Sequence, residues 1–168
     1  MIVLLIFVGI GILLFASALL FGAPFLPTLQ RQTKDAISLL NLKPGQTFFE
    51  LGSGDGRVLK AAAQRGATVR GYEINPLLVI ISMFRCLAER LLVTVRWGNF
   101  WHTSLSDADA IYVFLLKPYM AKLDKKITQE ITKPVKVVSF TFAFPGRTPI
   151  KEQNGLMLYE FKPNHKKH

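Results

Sequence analysis

The sequence predicts an open, doubly wound α/β sheet, mostly parallel and closed by an antiparallel hairpin. Three observations predict it. Strand-like and helix-like segments alternate from Thr47 onward, a glycine-rich turn follows the first strand, and Asn154-Gly155 separates two short strand-like runs near the end. The first strand runs through Phe48-Phe49-Glu50-Leu51 into Gly52-Ser53-Gly54-Asp55-Gly56-Arg57. Residues 58–65 are Ala-rich, with Leu59 among good helix formers, and read as a helix, with Gly66 as its stop. Residues 67–73 form a short strand ending on Glu73, and Asn75-Pro76 opens the next helix, since Asn caps free amides and Pro fits a first turn. Residues 77–91 read as a long apolar helix, 93–97 as a strand and 111–116 as a fully apolar strand. A helix opens at Pro118, and its Leu123, Ile127 and Ile131 recur every four residues, so one face packs on the sheet. Residues 135–144 are a Val- and Phe-rich strand, and Asn154-Gly155 turns a hairpin between 148–152 and 156–161. Ligands of such sheets bind at the carboxyl ends of the strands, where Glu50, Glu73, Asn99 and Leu116 fall.

Gly52, Gly54 and Gly56 let a backbone approach a ligand closely, while Glu50 and Asp55 repel a pyrophosphate and attract a cation. The dinucleotide fingerprint needs two residues between its second and third glycines, and Asp55 stands alone between Gly54 and Gly56. No Gly-Lys pair followed by Ser or Thr exists, so a phosphate loop is excluded as well. The implied ligand is nucleoside-like and positively charged. S-adenosylmethionine, with its ammonium and sulfonium groups, meets that description, and Glu73, about twenty residues beyond the glycines, stands where a carboxylate takes ribose hydroxyls.

Glu50-Leu51-Gly52-Ser53-Gly54-Asp55-Gly56-Arg57, Gly71-Tyr72-Glu73-Ile74-Asn75-Pro76 and Gly98-Asn99-Phe100-Trp101 resemble the successive motifs of class I S-adenosylmethionine-dependent methyltransferases, which share a Rossmann-like sheet. More narrowly, the chain is similar to the membrane-anchored family that includes the lysine N-methyltransferases of the ATP synthase c-subunit and of the adenine nucleotide translocase. The narrower resemblance rests on an amino-terminal hydrophobic segment followed by Pro24-Phe25-Leu26-Pro27-Thr28, and on the late Phe142-Ala143-Phe144-Pro145-Gly146 stretch. It implies that Glu50 and the loop Gly52, Ser53, Gly54, Asp55 and Gly56 surround the methionine end of the cofactor. It implies Glu73 on the ribose, Asn99 beside the adenine, and Thr28 closing the pocket from the amino-terminal side. Two positions depart from the family pattern. Asn99 stands where Asp is common, keeping an acceptor but losing a charge, and Lys117 stands where an uncharged residue is expected near the substrate entrance.

Residues 1–23 carry no charged side chain and only Ser17 among polar ones. As a helix of about 34 Å the segment matches a hydrocarbon core of roughly 30 Å, so a retained single-pass transmembrane anchor is expected. The competing reading is a cleaved signal, since Ala16-Ser17-Ala18 resembles a cleavage site, but no basic side chain precedes it. Arg31 and Lys34 follow the segment directly, which places the catalytic domain on the cytoplasmic side. The expected organisation is an anchor over 1–23, a connector with an amino-terminal helix over 24–46, a cofactor-binding domain over 47–161 and a basic tail over 162–168. A formal net charge of +10 makes the domain strongly basic, with Lys122, Lys125, Lys126 and the tail supplying clusters that read as a solvated face or a surface for lipid head groups. Nucleic acid is a weaker reading, because the chain lacks zinc-finger spacing and an Asn-Pro-Pro-Tyr motif.

No residue set points to metal or covalent chemistry: His102, His165 and His168 are not spaced as ligands, and the single Cys86 lies in an apolar helical stretch. Methyl transfer from a sulfonium needs neither, since it depends on holding donor and acceptor together. A lysine acceptor must lose its proton first, and a dry channel lowers its pKa by desolvation. Phe114, Leu115, Leu116, Pro118 and Tyr119 are the candidates for that channel, with the Tyr119 hydroxyl orienting the amine, whereas Asp109 is read as remote. The expected activity is methylation of a lysine on a membrane protein. A lipid or small isoprenoid acceptor, or a basic non-catalytic binding module, are the alternatives.

Overall fold

The computed structural model describes residues 1, 2, 5, 6, 9, 29–87 and 93–163. Its strands are β1 (Thr47–Leu51), β2 (Thr68–Glu73), β3 (Val93–Trp97), β4 (Ala110–Val113), β5 (Val135–Phe140), β6 (Lys151–Gln153) and β7 (Leu156–Phe161). The helices are α1 (Gln30–Leu40), α2 (Arg57–Ala63), α3 (Pro76–Leu87) and α4 (Lys117–Glu130), with a 3-10 turn at Phe100–His102. The strands form one sheet in the order β3-β2-β1-β4-β5-β7-β6. The first five are parallel, and β7 inserts antiparallel between β5 and β6. Strand order reverses between β1 and β4, and sheets of this kind take their ligands beside such a reversal, at the carboxyl ends of the strands.

Side chains alternate across a strand, and β1 shows what that does in a sheet covered on both faces. Phe48 joins the core built with α1 and α2, together with Val69, Tyr112 and Val138. Phe49 and Leu51 join the opposite core with Ile111, Val113, Val137 and the α4 residues Leu123 and Ile127. The four-residue recurrence of Leu123, Ile127 and Ile131 therefore marks a buried face, as its spacing predicts.

Several boundaries differ from the sequence reading. β4 stops at Val113 because its neighbour β1 pairs only as far as Leu51 opposite Val113, leaving 114–116 without a ladder. β5 stops at Phe140, where Thr141 adopts φ 72° and the chain makes a three-residue turn from Phe142 N–H to the Phe140 carbonyl. The hairpin turns at Asn154-Gly155 with φ of 52° and 77°, as expected, but β6 begins only at Lys151. The apolar helix is described to Leu87, and residues 88–92 lie outside the described residues.

The expected anchor falls largely outside the described residues. Among the described residues no helix is long and apolar enough to cross a membrane. The four described helices have 11, 7, 12 and 14 residues, against the roughly 20 apolar residues a span requires. That finding overturns the single-pass membrane placement with a cytoplasmic catalytic side.

Candidate functional site

The glycine loop folds over the tip of β2. Gly52, Gly54 and Gly56 take φ of 89°, 53° and 77°, all in the left-handed region. The N–H groups of Gly52 and Ser53 both donate to the Tyr72 carbonyl at 2.9 Å. Gly56 packs so tightly on α3 that a Cβ would lie 2.2 Å from Ser82 Oγ and 3.0 Å from its Cα. Gly56→Ala combines that overlap with left-handed strain, and we expect it to lower unfolding free energy by about 3 kcal/mol or more in urea titration.

Glu73, at the end of β2, is buried and held at both oxygens. Gly54 N–H donates to Oε2 at 2.8 Å and Asn75 N–H to Oε1 at 2.9 Å. Its carbonyl accepts from Gly98 N–H at 2.9 Å, which draws the Gly98-Asn99 pair to the same strand tip. Asn99 is exposed and caps the 3-10 turn through Oδ1, which accepts from Trp101 N–H at 3.1 Å. Beside them the Trp97 indole donates to the Ile74 carbonyl at 3.0 Å, leaving Ile74 as an exposed apolar wall. Sequence reasoning missed Ile74 and Trp97, whose signal was adjacency to Glu73 and to Gly98.

Glu50, one strand over, is buried, and its Oε2 has no hydrogen-bond partner among the described residues; nor has the buried Ser53 Oγ. Burial pushes the Glu50 carboxyl well above the usual glutamate range, the Asp55 and Glu73 charges add to the rise, and a backbone hydrogen bond at Leu59 opposes it. Asp55 is different. It pairs with Arg57 Nη2 at 2.5 Å and Arg85 Nη2 at 2.9 Å, while Arg85 Nε donates to its carbonyl at 2.7 Å. Burial alone would raise its carboxyl, but the Arg57 hydrogen bond and the Arg57 and Arg85 charges hold it below the usual aspartate value. Its charge thus fastens α3 to the loop, where the sequence reading had it attracting the ligand's cation. The donors and acceptors present fit S-adenosylmethionine: an orphaned buried carboxylate oxygen for an ammonium, and a fixed carboxylate for a diol.

The expected acceptor channel divides. Phe114 packs edge-on against Phe140 at 4.8 Å on one core, and Leu115 packs against the other. Leu116, Pro118 and Tyr119 are exposed at the start of α4, with Lys117 among them. Thr28 lies outside the described residues. Asp109 accepts from Thr47 N–H at 2.8 Å and pairs with Lys133 at 2.6 Å, at the start of β1 and away from the strand tips. A cavity of about 390 Å³ between α4 and the loop of Pro145 and Arg147 shares no residue with the carboxylate site. Lys126, read as part of a solvated cluster, is buried instead.

The sequence matches the model of the ANTKMT methyltransferase domain family over residues 50–151, from Glu50 through Glu73 and Asn99 to the start of β6. The chain belongs to that methyltransferase family. It is 32% identical over 128 residues to the human lysine N-methyltransferase of the ATP synthase c-subunit, and the match covers 75% of this chain and 54% of that protein. It is 33% identical over 130 residues to the mouse adenine nucleotide translocase lysine N-methyltransferase, covering 76% and 56%. The chain thus spans about half the length of these relatives. A Salinibacter ruber RNA methyltransferase in complex with S-adenosyl-L-homocysteine superposes with a TM-score of 0.76 at 26% identity, covering 83% of this chain and 95% of that one.

Proposed function

We propose that this member of the family is an S-adenosylmethionine-dependent protein-lysine N-methyltransferase. The observation that carries the reading is the pair of buried carboxylates at adjoining strand tips: Glu73 pinned by two backbone N–H groups, Glu50 with an oxygen that has no partner among the described residues. Glu73 holds the ribose hydroxyls, Asn99 and Ile74 border the adenine, and Glu50 with Gly52, Ser53, Gly54 and Gly56 receives the methionine end. When bound, S-adenosylmethionine supplies a methyl group already activated by its cationic sulfur.

The chain's own part is then positional. Leu116, Pro118 and Tyr119 form the lip through which a lysine side chain enters, and their apolar surface disfavours its ammonium form, releasing a proton to solvent before attack. The Tyr119 hydroxyl orients the neutral amine. The lysine class is supported by the names of both relatives, since the fold alone also serves an RNA methyltransferase.

Two measurements test this. Calorimetric titration should detect S-adenosylhomocysteine binding and no comparable affinity for a nicotinamide dinucleotide. Incubating the purified chain with methyl-labelled S-adenosylmethionine and a total protein extract, followed by hydrolysis, should then yield labelled methyl-lysine. Label recovered only in lipid or RNA, or none, would defeat the lysine reading.

A further inference from the structure

Lys126 is the one lysine among the buried polar residues described, and all three of its ammonium protons are used. Nζ lies 3.2 Å from the Trp101 carbonyl, 2.6 Å from the Thr103 carbonyl and 2.6 Å from Glu130 Oε1. The other Glu130 oxygen accepts from Leu105 N–H at 3.1 Å. One ion pair on α4 therefore grips the backbone at three alternate residues of the segment that follows Asn99. The near end of the same segment is organised by Asn99 itself, through Oδ1 to Trp101 N–H and its carbonyl to His102 N–H at 3.1 Å. Lys122 adds a third attachment, its ammonium 4.4 Å from the centre of the Trp101 ring.

Nothing in the stability of α4 demands this arrangement. A lysine and glutamate four residues apart on an exposed helix contribute only a few tenths of a kcal/mol, whereas burying an ammonium is costly unless every donor is satisfied. The segment it holds adjoins Asn99, which the functional reading places at the adenine, and the helix it hangs from begins at the acceptor lip of Leu116, Pro118 and Tyr119. We propose that Lys126 is a positioning residue that locks the Asn99 turn to α4 and so sets the spacing between cofactor and acceptor. The proposal rests on the functional reading above and deepens it, since a reaction governed by placement loses rate when either partner shifts.

The experiment is a double-mutant cycle on S-adenosylhomocysteine affinity, using Lys126→Met, Asn99→Ala and the pair, with single-turnover methyl transfer measured alongside. Methionine keeps an unbranched apolar stem that matches lysine to within one atom but removes the three donors. Each single change should weaken binding about tenfold, and the pair about tenfold as well, because both act through the same turn. Transfer at saturating cofactor should also fall in Lys126→Met. Additive losses of about a hundredfold in the pair, or a Lys126→Met affinity equal to wild type, overturn the proposal. If Lys126→Met does not fold, Glu130→Gln enters the same cycle, since an amide in place of the carboxylate opposes a donor to either Lys126 or Leu105 N–H. A wild-type chain that fails to bind S-adenosylhomocysteine overturns the functional reading itself; normal wild-type binding with an unaltered variant overturns only the role of Lys126.

Discussion

Glu73→Ala is expected to lower S-adenosylhomocysteine affinity by about a hundredfold or more, the sum of two charge-assisted hydrogen bonds to ribose hydroxyls at about 1.5 kcal/mol each. The effect has a second source. The same carboxylate holds Gly54 N–H and Asn75 N–H, so its removal frees the tip of the glycine loop as well as the ribose contact. Unfolding free energy should fall by about 1–3 kcal/mol, since two donors near the protein interior lose their acceptor. Glu73→Gln retains one acceptor oxygen and should fall between alanine and wild type on both measures. Calorimetry and urea titration check the two effects separately, and an alanine variant that binds within about threefold of wild type would show that the strand-tip carboxylate does not touch the cofactor.

Glu50→Gln should remove a pH dependence together with a charged contact. A carboxyl whose folded pKa stands above its unfolded value binds its proton more tightly when folded. Stability from this group is thus fully present below the ordinary glutamate value of about 4.5 and is lost as pH rises through the raised folded value. A cationic ligand prefers the ionised form, so affinity for S-adenosylmethionine should rise over the same window, by at most about tenfold per pH unit for one proton. The glutamine variant should show neither slope, should be more stable than wild type at neutral pH, and should bind the cofactor about tenfold or more weakly there. Asp55 has the opposite sign: with a folded pKa below its ordinary 3.8, its contribution is present above that value and disappears as pH falls through the folded one. A wild-type affinity independent of pH across the Glu50 window, or a glutamine variant with the wild-type slope, would remove Glu50 from the cofactor's surroundings.

Much of this site is legible in the amino-acid order, and the reason is locality. Glycines at alternate positions after a strand, an acid at the next strand's end and a Gly-Asn pair after the third are each set by neighbours in sequence, and the parallel sheet brings them to one edge. The acceptor side is only half legible. A run of apolar residues from Ile111 to Leu116 shows no period that separates strand from exit, so Phe114 and Leu115, which pack into opposite cores, look the same as Leu116, which does not. Ser53 carries a signal only as a loop residue, and that no described residue partners its buried hydroxyl is a property of the packed interior.

The amino-acid order by itself determined the strand and helix sequence and the doubly wound sheet with its hairpin, because hydrophobic period and glycine spacing act over a few residues. Tertiary structure decided which charges are available. Asp55 is matched by Arg85 from α3, Lys126 is drawn inward by carbonyls from the segment after β3, and Glu50 keeps a buried acceptor oxygen that no described residue satisfies. Charge pairing and desolvation depend on distances across the fold, which no local pattern records, so the same acids and lysines that look alike in the chain acquire opposite roles once packed.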